Sequence, residues 1–190
     1  MINTSFVTSL VEKEQFDIVI HLAAVVSVVE TINDPIKSQS VNINGTLNLL
    51  EANRQYNHNL KKFIFASSAA VYGNTEGLPK QVETFIDPES PYAVEKYAGE
   101  QYTKIYSTLY QLPTTALRFF NIYGPRQDPH SPYSGVLSII DNKFKNNETF
   151  TFFWDGEQTR DFVYVKDLVQ AVSTVLDNDC LLYTSDAADE

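Results

Sequence analysis

The chain has 190 residues, of which 43% are apolar, so it has the length of about one domain and enough apolar side chains for a core. Its net charge of −10, with only 14 lysines and arginines, excludes a polyanion such as nucleic acid as partner and leaves a single small nucleotide as the largest phosphate ligand. One cysteine and three scattered histidines, His21, His58 and His130, exclude a disulfide framework and offer no metal site, and there is neither an apolar run of membrane length nor a signal peptide, the pattern of a soluble cytoplasmic protein.

In chain order, Phe16 to Leu22 is a continuous apolar run of strand length, as in a strand buried on both faces. After Asp34 and Pro35 the spacing of Ile36, Ile43, Leu47 and Leu50 predicts a helix with one apolar stripe. Lys62 to Ser67 reads as the next strand. A helix then begins at Ser90 and Pro91 and runs to about Leu112, followed by a strand over Thr114 to Phe120. Ser134 to Asn147 is predicted helical, Thr149 to Trp154 and Phe162 to Val165 are predicted short strands, and a last helix starts near Lys166. Strands separated by helices of this length imply a parallel sheet of the doubly wound α/β class, Rossmann-like.

The ends are expected to be incomplete. No glycine precedes Gly45, so the chain carries no glycine-rich turn ahead of its first strand. Cys180 to Glu190 resembles the translation of a transposase adapter used in sequencing libraries; without it the acids number 21, the net charge is 14 − 21 = −7, and no cysteine remains. The expected organisation is therefore a partial dinucleotide-binding domain over 1–125, a partial substrate-binding region over 126–179, and a non-native tail over 180–190.

The chemistry centres on SPYAVEKYAGE. Ser90 can cap the helix and Pro91 loses no hydrogen bond at its first position, so Tyr92 and Lys96 lie one turn apart on one face. An ammonium there favours the phenolate and would bring the tyrosine toward use as a base nearer neutrality. In parallel α/β sheets ligands bind beyond the carboxyl ends of the strands. Those tips carry Leu22, Ala23 and Ala24, then Ser67 and Ser68, then Phe120 and Asn121. Each has a plainer alternative: Ser68 can begin a turn, Asn121 can bond backbone, Asn42 can be a polar residue on a helix surface, and Arg160 can pair with Asp161.

The ordered motifs IHLAA, NINGT, FASSAAVYG, SPYAVEK, LRFFNIYGPRQDP and GEQTRDFVYV resemble the extended short-chain dehydrogenase/reductase family, within it the NAD-dependent nucleotide-sugar epimerases. The resemblance covers Phe16 to Leu176. It implies a catalytic set of Asn42, Ser68, Tyr92 and Lys96. Tyr92 would take the proton of a sugar 4-hydroxyl that Ser68 orients, while Lys96 holds the nicotinamide ribose and Asn42 supports the site. Leu22, Ala23, Ala24, Ser67, Tyr92, Lys96 and Phe120 would line NAD, and Ser68, Asn121 and Arg160 would hold a UDP-hexose. It also implies a homodimer of the full-length protein through the helices over Asp34 to Asn57 and from Tyr92 onward; the stripe of Tyr102, Tyr106 and Tyr110 could equally be core packing. Related dehydratases and decarboxylases carry an acid after the active-site Ser or Thr, where this chain has Ala69 and Ala70, so the resemblance favours epimerisation. A dehydratase, decarboxylase or reductase, or a non-catalytic dinucleotide sensor, are the other readings. The family's usual glycine before Asp155 and Gly156 is replaced by Trp154.

Overall fold

A computed structural model describes residues 1–131, 135–152, 155–157 and 159–178. The expected start of a helix at Ser134, the end of the predicted strand at Trp154, and the tail from Cys180 lie outside the described residues. The chain divides into two compact units, Met1–Phe119 and Phe120–Asn178.

The first unit holds a parallel sheet in the order β1 (Ile18–His21), β2 (Lys62–Ser68), β3 (Thr114–Phe119). Ile18 pairs with Lys62, and Phe63 with Thr114. Between β1 and β2 run α2 (Val28–Asn33), α3 (Pro35–Gln39), a π turn over Ser40–Asn44, and α4 (Gly45–Tyr56); α5 (Pro91–Tyr110) connects β2 to β3. Parallel strands need such crossovers, because a tight turn cannot return the chain to the same end of the sheet. The α/β class, the parallel order and all three strands expected in this unit are present.

Three details differ from the sequence expectation. A helix, α1 (Thr4–Glu14), precedes β1, capped by the Asn3 side chain, which accepts from the Phe6 N–H at 3.0 Å. Val7 and Val11 on α1 are buried against Ala52 of α4. The strand β1 is not covered on both faces: it is an edge strand, and Ile18 and Ile20 are 44% and 41% exposed. Ile36 is 76% exposed, so the apolar stripe begins only at the π turn and ends in the fully buried Leu50.

The core packs Leu50, Phe63, Phe65, Tyr106, Leu112 and Ala116. The helix α5 starts as its sequence dictates: Ser90 Oγ accepts from the Ala93 N–H at 3.2 Å, with Pro91 at the first position. It then lies close on β2, because Gly99 faces the Phe65 ring; a Cβ at Gly99 would stand 2.4 Å from Phe65 Cζ. Deeper along α5, Glu100 meets Arg118 of β3 in a buried two-pronged ion pair, at 2.6 and 3.0 Å. Arg118 also donates to the Tyr72 hydroxyl and the Val82 carbonyl, each at 2.9 Å, so four of its five N–H groups have acceptors. Of the tyrosine stripe, Tyr106 is in the core and donates to Glu51 at 2.8 Å, whereas Tyr102 and Tyr110 are exposed.

The second unit contains β4 (Asn121–Tyr123) paired in parallel with β5 (Phe162–Tyr164), and helices α6 (Val136–Lys145) and α7 (Val165–Asp177). Residues 149–152 form no strand, unlike the expectation from their alternating Phe and Thr.

At the tip of β1, His21 is 4% exposed and lies against the rings of Phe63 and Phe65. Thr46 gives its single hydroxyl proton to the Asn42 carbonyl at 2.6 Å, so it must accept from His21 Nε2–H at 2.9 Å, which fixes the neutral tautomer. Burial first, then the Lys96 cation and the chain amino group, hold the imidazole down at about 4.

Two outcomes follow. Replacing Arg118 by Ala strands the Glu100 carboxylate inside the protein and should cost about 3 to 5 kcal/mol in urea unfolding; a loss within error of zero would mean that water already solvates Glu100. For His21, the unfolded chain takes up a proton near pH 6.5 and the folded one only near 4, so stability is full above 6.5 and declines as pH falls through that window, by about 3 kcal/mol. His21→Gln should flatten this part of the melting temperature against pH, while an unchanged slope would show that His21 carries no such penalty.

Candidate active site

The beginning of α5 and the end of β2 form the site, because the helix runs back along the strand that precedes it. Lys96, 5% exposed, donates from Nζ to the Ala66 carbonyl of β2 at 2.9 Å, and its charge lies 5.3 Å from the Phe65 ring and 5.8 Å from the Tyr92 ring. One turn earlier on α5, Tyr92 lies beside Ser68, two residues beyond Ala66, and the Ser68 hydroxyl acts on the phenol to lower its pKa. Ser68 also accepts from the Ala70 N–H at 3.2 Å and so caps the 3-10 turn Ala69–Tyr72. Its turn-starting role and its place beside Tyr92 coexist.

The electrostatics depart from the expectation that Lys96 alone draws Tyr92 toward neutrality. Burial raises the Tyr92 phenol above its ordinary value, and the hydrogen bond from Ser68 only partly offsets this. Burial also lowers Lys96 to about 8, against the opposing pull of Glu95. The reason is geometric: the ammonium is directed at the Ala66 carbonyl, not at the phenol oxygen. Both groups are thereby pushed toward their neutral forms.

Asn42 is 3% exposed and sits in the π turn, not on a helix surface. Its Oδ1 accepts from Val25 N–H at 2.8 Å, and its Nδ2 donates to the Val25 carbonyl at 3.0 Å and to Glu95 at 2.6 Å. Wide π turns of this kind inside helices are frequent at functional sites. The loop after β1 is thus tied to the turn, and it presents Leu22 and Ala23 exposed and Ala24 half-buried. Ser67 is buried, and its hydroxyl donates to Glu100 at 2.9 Å, so it faces the inside of the helix-strand contact.

Three further expected site residues belong to the second unit. Phe120 opens it and is half-buried. The Asn121 side chain donates to the Asp161 carbonyl at 2.8 Å, beside its own backbone N–H, and so reinforces the pairing of β4 with β5. Arg160 is exposed and donates to the Thr159 carbonyl at 2.7 Å; among the described residues it forms no ion pair with Asp161. Sequence reasoning missed Glu95, whose 4% exposure and short bonds to Ser38 and Asn42, both at 2.6 Å, place it at the base of the site. The only signal was an acid on the inward side of an otherwise apolar helix start. Among the described residues, no group of three or more His, Cys, Asp or Glu could hold a metal ion, and no helix is long and apolar enough to cross a membrane.

The chain is similar to known proteins over most of its length. A UDP-glucose 4-epimerase of Mycolicibacterium smegmatis is 38% identical over 165 residues, which are 86% of this chain and 52% of that protein. The structure of UDP-N-acetylglucosamine 4-epimerase from Methanobrevibacter ruminantium, solved in complex with UDP-N-acetylmuramic acid, superposes with a TM-score of 0.86 at 36% identity, over 94% of this chain and 56% of its own. That of the Thermus thermophilus UDP-glucose 4-epimerase, solved with NAD, gives 0.85 at 35% identity over 96% and 60%. The chain spans about half the length of the curated relatives it matches. A family model described as "NAD dependent epimerase/dehydratase family" matches residues 1–181, and with the Tyr92, Lys96 and Ser68 arrangement above, the chain belongs to that family.

Proposed function

We propose that this chain forms the catalytic part of a cytoplasmic, homodimeric NAD-dependent nucleotide-sugar 4-epimerase, which interconverts UDP-glucose and UDP-galactose or their N-acetylated analogues. The observation that carries this reading is the placing of Ser68 beside Tyr92, one turn of helix from a buried Lys96. A sugar 4-hydroxyl set between those two oxygens meets an orienting group and a proton acceptor at once. The donors and surfaces fit NAD as well. Lys96 uses one of its three N–H bonds on Ala66, leaving others for a ribose, and the exposed Leu22 and Ala23 with Ala24 offer a small apolar ledge for a flat ring.

In this reading bound NAD would supply a hydride acceptor and donor for C4 of the sugar and a positive ring near Tyr92. Tyr92 takes the hydroxyl proton and later returns it. Ser68 holds the hydroxyl and then the keto oxygen at one fixed point. Lys96, bonded to Ala66, supplies a cation that does not move, and Asn42 keeps the loop of Leu22, Ala23 and Ala24 at its distance from α5. Ser67 contributes backbone, since its hydroxyl faces Glu100. Phe120 is assigned to the cofactor's apolar wall and Asn121 and Arg160 to the UDP, with the exposed Arg160 guanidinium suited to phosphate oxygens. The exposed Ile105, Leu109 and Tyr110 on α5 are the apolar surface assigned to the homodimer.

The test uses the full-length protein. Tyr92→Phe should retain NAD and lose turnover of UDP-galactose by about 100-fold or more; undiminished turnover would remove the mechanism. Offering dTDP-glucose and UDP-glucuronate in parallel, with products identified, separates the dehydratase and decarboxylase readings, since an epimerase leaves the first without a 4-keto-6-deoxy product.

A further inference from the structure

A single carboxylate joins three separate segments behind the site. Glu95 Oε1 accepts from Ser38 of α3 and Oε2 from Asn42 of the π turn, each at 2.6 Å, and Asn42 in turn grips both the N–H and the carbonyl of Val25 in the loop after β1. All three polar side chains, Ser38, Asn42 and Glu95, are at most 4% exposed. The donor and acceptor pattern leaves the Asn42 amide one orientation, with its oxygen toward Val25 N–H and its NH₂ toward two acceptors. Without an acceptor at 95, a buried Asn42 N–H would lose a partner, and the turn could relax away from the loop.

The next residue along α5 is Lys96, turned by about 100° around the helix axis toward β2. It has lost most of its contact with water, and the groups near it that carry or can carry charge include Glu95, Tyr92 and, one turn on, Glu100 on α5, and His21 on β1. Glu100 is paired with Arg118, and Glu95 is the negative charge that acts to keep the ammonium protonated. His21 stays neutral at neutral pH, and Tyr92 is an un-ionised phenol there.

We propose that Glu95 is a positioning residue of the Tyr92 site, one carboxylate that locks the Leu22–Val25 loop to α5 through Asn42 and keeps Lys96 an ammonium. Its consequence for turnover rests on the catalytic reading above; its consequence for Lys96 does not.

Lysine labelled with ¹³C at Cε in the full-length protein gives a signal for Lys96 that is assigned by its loss in Lys96→Arg. In Glu95→Gln the titration midpoint of that signal should fall by about one pH unit or more, whereas Ser38→Ala, which loosens the clamp but keeps the charge, should leave the midpoint in place. Turnover in Glu95→Gln should fall by about tenfold or more through kcat, with KM for the UDP-sugar little changed, because the misplaced groups act on the reacting oxygen and not on the nucleotide. A midpoint unmoved in folded Glu95→Gln overturns the proposal, even if turnover drops, since a merely structural acid would do that. Should Glu95→Gln lose its native circular dichroism, Glu95→Ser carries the same comparison. Failure of the catalytic reading, seen as full turnover in Tyr92→Phe, is thereby told apart from failure here, which shows in the midpoint.

Discussion

The bond from Lys96 to the Ala66 carbonyl is the contact on which the site depends, and it belongs to a longer polar seam. Along the inner side of α5, Lys96 meets Ala66, Glu100 meets Ser67 and Arg118, and the Thr103 carbonyl accepts from Thr114 at 2.8 Å. An apolar helix face can slide along a sheet at small cost, since one methyl replaces another. Donors and acceptors cannot, because a shift of one residue leaves each buried group without its partner. The seam therefore fixes how far along β2 the helix begins. Gly99 makes the seam reachable by letting the helix backbone approach the Phe65 ring. Given that register, Tyr92 has one place to be, and it is beside Ser68.

The same burial that fixes positions also sets the resting charge. Desolvation acts on the phenol and the ammonium in opposite directions on the pH scale but toward one outcome, two neutral groups. A proton-accepting tyrosine thus requires more positive charge than Lys96 supplies from its seat on Ala66. Under the reading proposed above, a cationic ring beside Tyr92 would supply that charge, and activation of the phenol would be coupled to occupancy of the cofactor site.

Much of this was legible in the residues. The opening of α5 could be seen in Ser90 and Pro91, and β2 and β3 in their apolar runs, because these are local effects of capping and burial. The helix α1 was missed although Asn3, Val7 and Val11 carry its cap and its inner face; the polar residues between them dilute the pattern. Ile36 was placed on a buried stripe because periodicity alone does not say where a helix leaves the sheet. The role of Glu95 was invisible for a different reason. Its partners lie 57 and 53 residues away in the chain, and the π turn that points Asn42 toward it has no sequence signature.

The placement of acids also bears on the type of reaction. Elimination of water from a sugar needs a carboxyl or equivalent group free to give and take a proton near the tyrosine, whereas epimerisation needs the tyrosine alone. After Ser68 the chain turns at once into Ala69 and Ala70, and Ser68 itself caps that turn. Among the described residues the buried carboxylates are Glu95 and Glu100. Glu95 is held by Ser38 and Asn42, and Glu100 by Arg118 and Ser67, so neither can exchange a proton with substrate without breaking the contacts that place Tyr92. The two buried carboxylates thus serve to hold the start of α5 in place, a division that suits the epimerase reading proposed above.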